Sequence, residues 1–317
     1  MHAYIKRPLI VLCFLYLLGT VFGGIGLGWM ATHPGRRPIT DADKRKVVAD
    51  SGAGSGLSDV SITASDGAVL RGWQIRPAAP NGNAVILLHG VGDNRLGVSG
   101  YGTWLVRNHY TVLIPDARAH GYSGGDLATY GLKESDDIHR WVDWIEDNDH
   151  PNCVFGFGES MGAAQILQSL SKETRFCGVV AESPFATFRE VAYARFGRPF
   201  HTGPWLGRTF FWPTVEVGFL YVREKFGLNM ESASPADAVA HSSTPVFLMH
   251  GLSDENIPSF HSVEIQARNP STVTLWRVIG AGHCGTHSVA PQEFERRVLT
   301  WFAEHSSRLA NPSVATN

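Results

Sequence analysis

Charge is scarce in this sequence. Only 18% of the 317 residues are Asp, Glu, Lys or Arg, and the net charge is −2, against about 25% charged in an ordinary globular chain. No basic block interrupts the pattern. A nucleic-acid partner needs clustered cations on its binding face, so none is expected. Internal repeats and heptad runs are missing too, which excludes solenoids and coiled coils. Cysteine is sparse: Cys13, Cys153, Cys177 and Cys284, at spacings that fit no tetrahedral zinc pattern. Cys153 and Cys177 each begin a predicted strand. They are either a disulfide of an exported domain or two buried thiols.

What the chain does have is one long uncharged run. Residues 8–31, PLIVLCFLYLLGTVFGGIGLGWMA, hold no Asp, Glu, Lys or Arg. A helix of ~20 apolar residues crosses a bilayer. A signal peptide would show a core of ~7–15 residues and a small-x-small cleavage site; this run is longer and no such site follows. Residues 1–31 therefore read as a retained, single-pass membrane anchor. The Lys and Arg on its two sides point in opposite directions. Arg36, Arg37, Lys44, Arg45 and Lys46 outnumber Lys6 and Arg7 and favour the large domain inside. A short basic N-terminus before an apolar run instead behaves as an uncleaved export signal, and the extracytoplasmic side is preferred on that ground. Gly19/Gly23 and Gly24/Gly28 have the spacing that permits close helix contact, so self-association of the anchor is a further expectation.

Residues 32–56 are polar and Gly/Ser-rich and read as a linker. Then SDVSITASDGAVLRGWQIRPA predicts two strands joined at Asp66-Gly67. Short apolar runs follow: AVILLHG (84–90), YTVLIPDARAHG (110–121), CVFGFGES (153–160), GVVAESPF (178–185), PVFLMHG (245–251) and VTLWRVIG (273–280). Between several of them the period changes to that of a helix. Ile138, Trp141, Val142 and Ile145 share one face, as do Phe294, Val298, Trp301 and Phe302 behind Pro291. Buried strands alternating with amphipathic helices predict a mostly parallel sheet covered on both faces. About 60 residues separate the runs ending at 185 and beginning at 245, too many for a plain connection. This stretch, about 186–240, is dense in aromatics and predicts a small helical cap, whose aromatics line an acyl pocket or form its own core. The α/β domain is bounded at 57–306, with 307–317 as a flexible tail.

Gly158-Glu159-Ser160-Met161-Gly162 has the form G-x-S-x-G between the strand-like VFGF and the helix-like AAQILQSL. A serine on so tight a strand-to-helix turn projects from the sheet edge, and the flanking glycines remove side chains that would collide there. A serine hydroxyl needs a base to become a nucleophile, and an oxyanion needs two donors. His89-Gly90-Val91-Gly92 follows the AVILL strand, so the backbone N–H groups of Val91 and Met161 are the candidate donors. His89, His120 and His250 read as structural, and Asp93 and Asn94 as loop caps. The stretch RVIGAGHCGTH (277–287) holds His283 and His287, which are zinc ligands, a base with a bystander, or loop residues. Gly280, Gly282 and Gly285 argue against the helix that i, i+4 metal ligands need, so no metal or other cofactor is expected.

The order LLHGVGDN, PDARAHGYSGG, GESMGA, HGLSDENIP and GAGH resembles the α/β-hydrolase superfamily over roughly residues 57–306. Within it the chain is most similar to membrane-anchored serine hydrolases of the Bem46/YqkD type and to the serine aminopeptidase group. The resemblance implies an α/β-hydrolase fold and hydrolysis of an ester, thioester or amide through a Ser–Asp–His triad. It assigns Ser160 as nucleophile, Asp254 in the D-x-x-I-P segment as acid, and His283 as base; Val91 and Met161 match the oxyanion donors. Glu182 is the alternative acid. Ala119 stands where the family's D-x-R-G-H-G-x-S segment has glycine. The expected substrate is a small or lipid-like acyl compound. An acyltransferase and a catalytically silent binding protein are the rival readings.

Overall fold

Each apolar run predicted as a strand is one. In the computed structural model, which describes residues 2–306 with side chains from residue 8, β1 (Gly56–Thr63) and β2 (Val69–Arg76) form the antiparallel hairpin at Asp66-Gly67. There follow β3 (Asn83–Leu88), β4 (Thr111–Pro115), β5 (Cys153–Glu159), β6 (Phe176–Glu182), β7 (Val246–Gly251) and β8 (Val273–Val278). The order is β1-β2-β4-β3-β5-β6-β7-β8, with every pair from β4 to β8 parallel. The tail expected at 307–317 lies outside the described residues.

Alternation along the strands builds two cores. Ala84, Ile86 and Leu88 of β3 face one side, with Ile138, Trp141, Val142 and Ile145 of α4 (Glu134–Asp149). Val85 and Leu87 face the other, with Phe294, Val298 and Phe302 of α12 (Pro291–Ser306) and Leu105 of α3 (Ser99–Arg107). The predicted helical stripes are thus the buried faces. Cys153 and Cys177, on the adjacent β5 and β6, form a disulfide with Cα atoms 5.8 Å apart.

The segment read as a linker is more ordered than its composition suggests. Thr40 caps α2 (Asp41–Asp50) in a capping box with Asp43. Ile39 and Val47 are buried in the second core. Arg36 donates to the carbonyls of Gly121, Ser123 and Gly125, and Arg37 pairs with Asp93 at 2.9 Å. Two buried apolar side chains and two arginines in a polar stretch leave no periodic signal.

The cap holds α6 (Phe188–Gly197), α7 (Trp205–Arg208) and α8 (Trp212–Phe226). It is shorter than expected: α9 (Pro235–Ala240) packs on α5 (Met161–Ser169) and α10 (Phe260–Arg268), with Ala236 and Val239 in the first core. The aromatics divide. Phe219 and Tyr193 are buried within the cap, whereas Phe200, Trp205, Phe210 and Trp212 are exposed.

α1 (His2–Thr32) is long and apolar enough to cross a membrane over Pro8–Thr32, with mean hydropathy 2.3. Twenty-five residues rise about 37 Å, enough for a ~30 Å hydrocarbon core. α1 packs along α8. A Cβ on Gly24 would lie 2.6 Å from Val217, and one on Gly28 would lie 3.0 Å from the Gly218 carbonyl oxygen. The Gly24/Gly28 spacing therefore serves a contact inside the chain, while Gly19 has nothing within 4 Å. At its C-terminal end α1 is tied to the domain: Thr32 is buried, the Ala128 N–H donates to its carbonyl at 2.9 Å, and the Tyr130 hydroxyl donates to that of Ala31 at 2.9 Å. α11 (Thr286–Val289) completes the helices.

Candidate active site

Ser160 lies between β5 and α5 at φ 51°, ψ −112°. A side chain in this left-handed region costs about 1–3 kcal/mol, so the surroundings must enforce it. The Ser160 N–H donates to the Glu182 carbonyl at 2.8 Å. The flanking glycines are obligatory: a Cβ on Gly158 would sit 2.4 Å from the Gly162 backbone, and one on Gly162 would sit 2.3 Å from the Leu88 carbonyl oxygen. The turn thus brings α5 down onto the end of β3, and the serine stands at the carboxyl edge of the sheet.

Three side chains distant in sequence meet there. The Ser160 Oγ is 2.8 Å from His283 Nε2, and His283 Nδ1 is 2.7 Å from Asp254 Oδ2. Asp254 follows β7, and its Oδ1 accepts the N–H groups of Asn256 and Ile257, each at 2.9 Å. Burial works to raise the pKa of Asp254, but hydrogen bonds from His250 and His283 outweigh it, aided by the Ile257 N–H, and hold it well below the carboxylate range. His283 is carried from β8 by Gly280, at φ 79°, and the loop passes so close to β7 that a Cβ on Gly251 would meet the Ala281 oxygen at 2.2 Å. His287 lies outside this group, 3.5 Å from Glu295 and edge-on to Tyr101 and Phe294. Glu182 is engaged elsewhere: its Oε1 accepts the N–H and hydroxyl of Thr286 at 2.9 and 2.6 Å.

The two expected oxyanion donors flank the serine. Met161 opens α5, and on the β3–α3 loop a Cβ at Gly90, beside Val91, would lie 3.6 Å from the Ser160 Cβ. Among the described residues neither the Val91 nor the Met161 N–H donates to a protein acceptor. His89 fixes this loop. Its Nε2 accepts the Ala117 N–H at 3.0 Å, which leaves Nδ1–H to donate to the Gly90 carbonyl at 2.8 Å. Burial lowers its pKa. His250 plays a comparable part behind Asp254, with Nε2 2.7 Å from the Ile257 carbonyl and 3.3 Å from Asp254 Oδ2.

Some features carried no legible signal. Glu159, the residue before the serine, lies near Glu182 and takes a hydrogen bond from Tyr101; burial first, then the Glu182 charge, push its pKa up to about 8. A cavity of about 430 Å³ runs from Val91 and Met161 under the cap to the last turns of α1. Its walls are almost wholly apolar, with Arg195 the one charged side chain among them. Part of α1 facing the cavity could not be read from a run that looks apolar on every side.

The family model for the alpha/beta hydrolase family matches residues 85–297. The uncharacterised YqkD protein of Bacillus subtilis (strain 168) is 28% identical over 202 residues, which cover 62% of this chain and 63% of that protein. A polyketide transferase of Penicillium is 26% identical over 132 residues, 40% of this chain and 45% of that one. The match thus spans less than two thirds of either relative. A solved esterase of Pyrococcus furiosus superposes with a TM-score of 0.66 at 27% identity, over 84% of this chain and 96% of the esterase.

Proposed function

The chain belongs to the alpha/beta hydrolase family, and from that premise we propose that it is a membrane-anchored serine hydrolase, a carboxylesterase acting on a small or lipid-like acyl substrate. The observation that carries this is the continuous relay of 2.8 and 2.7 Å from Ser160 through His283 to Asp254, on a serine held at φ 51°. His283 Nε2 takes the Ser160 proton as Oγ attacks the substrate carbonyl carbon. Asp254, accepting from Nδ1–H, fixes the tautomer and stabilises the imidazolium. The oxyanion receives the N–H groups of Val91 and Met161, each such donor being worth about 10²–10³ in kcat. The intermediate collapses, the imidazolium protonates the leaving alcohol, and an acyl-serine remains. Water, deprotonated by the same histidine, then attacks the acyl carbon, releases the carboxylic acid and restores Ser160.

A fluorophosphonate probe tests the reading. Wild type labels and Ser160→Ala does not; equal labelling of the two, or none of either, overturns it and leaves a binding protein on the same fold. The apolar, covered cavity also favours a second reading, acyl transfer to an alcohol or amine in place of water, and the Penicillium relative is named a transferase. Partition between acid and new ester, with and without an added alcohol, separates the two. The Cys153–Cys177 disulfide supports the extracytoplasmic side for the domain, since thiols stay reduced in the cytosol.

A further inference from the structure

The cavity beside Ser160 is closed on its far side by the apolar helix. Leu27, Gly28, Met30 and Ala31 of α1 line the same space as Val91 and Met161 at the serine. Phe188 and Phe219 of the cap line it too. We propose that α1 is a wall of the acyl-binding pocket, and that the substrate is a long-chain acyl ester or thioester resident in the bilayer. This rests on the serine-hydrolase reading above and deepens it.

Four observations converge on it. The volume lies within the roughly 300–1,000 Å³ of ligand pockets, and apolar walls suit an alkyl chain, each buried methylene favouring the complex about fourfold. The wall is fixed in place: glycine contacts seat α1 on α8, and bonds to the carbonyls of Ala31 and Thr32 tie it to the domain. Around the α1–α8 contact the surface remains apolar. Ile25, Met30, Trp212 and Leu220 are exposed there, and Phe210 accepts the Tyr16 hydroxyl at 2.7 Å through its carbonyl. The far end of that surface has the character of a headgroup boundary. Trp29 lies 6.4 Å from the Phe226 ring, beside the exposed charges of Arg223, Glu224 and Lys225, where aromatic and charged side chains meet an interface. If α1 spans the hydrocarbon, the exposed part of this wall at Met30 faces lipid rather than water.

The test uses the full chain in phosphatidylcholine nanodiscs with acetyl, octanoyl and palmitoyl p-nitrophenyl esters, and fluorophosphonate labelling beside them. Ala31→Phe fills the wall and should lower the octanoyl-to-acetyl ratio of kcat/KM about tenfold or more, the effect of displacing two methylenes. Leu27→Ala enlarges it and should shift the preference from octanoyl toward palmitoyl. Gly19→Leu, on a part of α1 with nothing within 4 Å, should leave the ratios as they are. A general loss of folding lowers all esters together, whereas a lost pocket wall changes their ratio. Ratios within twofold of wild type in both Ala31→Phe and Leu27→Ala, with labelling intact, overturn the pocket assignment alone. A wild-type chain that does not label overturns the hydrolase reading and this one with it.

Discussion

Replacing Asp254 by Asn should disable His283 by forcing the wrong tautomer. The amide must choose which end carries oxygen. With oxygen at the Oδ1 position it keeps the 2.9 Å bonds from the Asn256 and Ile257 N–H groups and turns its NH₂ toward His283. With oxygen at Oδ2 it would turn NH₂ against two backbone donors that cannot change their chemistry, at about 1–3 kcal/mol each. An imidazole can retautomerise, and His250 keeps the Ile257 carbonyl at 2.7 Å either way, so the first orientation wins. His283 Nδ1 then accepts and Nε2–H points at the Ser160 Oγ, where no lone pair is left to take a proton. A wrong tautomer costs about 10⁴ in kcat in a serine protease, or about 5.5 kcal/mol of barrier. The assay is kcat/KM on a short p-nitrophenyl ester and the fluorophosphonate labelling rate, with Tm recorded to show that the variant is folded. Glu182→Gln is the comparison. Its carboxylate serves Thr286, so it should lose less than about tenfold, under 1.4 kcal/mol. An Asp254→Asn enzyme within tenfold of wild type, or a larger loss in Glu182→Gln, would refute the assignment of the acid.

Three further outcomes are expected. The disulfide closes a loop with a sequence separation of 24, so Cys153→Ser with Cys177→Ser should cost about 3 kcal/mol and lower Tm by about 6 °C; in denatured native-source protein, alkylation should find the two free thiols Cys13 and Cys284 without reductant and four with it, and four in both cases would refute both the bond and the oxidising compartment. Glu159 stays protonated to about pH 8 in the folded chain, against an ordinary value of 4.5. The native state therefore binds the extra proton between these values, and stability should fall as pH rises through that window; Glu159→Gln should flatten the dependence of Tm on pH, and an unchanged slope would count against it. Finally, a chain begun at residue 51 should be about 3–5 kcal/mol less stable than one begun at residue 34, because it lacks Ile39 and Val47 from the core, as denaturant titration of the two would show.

The parallel sheet was legible because its signal is local. Runs such as AVILL and VFLM are apolar at every position because both faces of their strands are covered, and the stripes of α4 and α12 follow from helical spacing alone. The serine turn was legible for a different reason: the glycines at 158 and 162 are demanded by backbone approaches of 2.4 and 2.3 Å, so a steric necessity is written into the motif. Asp254 and His283 are 29 residues apart, and His283 is 123 from Ser160. No spacing rule connects them, and resemblance rather than derivation pointed to them.

What tertiary structure alone decided is which apolar surface meets which. By itself the sequence determined a membrane-length helix, an α/β domain and an aromatic insert in order along the chain. It could not say that Gly24 and Gly28 face α8, that α9 leaves the cap for the core, that Arg36 and Arg37 clamp the 121–125 segment and the β3–α3 loop, or that the last turns of α1 close a cavity at Val91 and Met161. The physical reason is that hydrophobic burial is non-directional. An apolar run declares that it must be covered, by lipid or by protein, and only the packed chain chooses the cover.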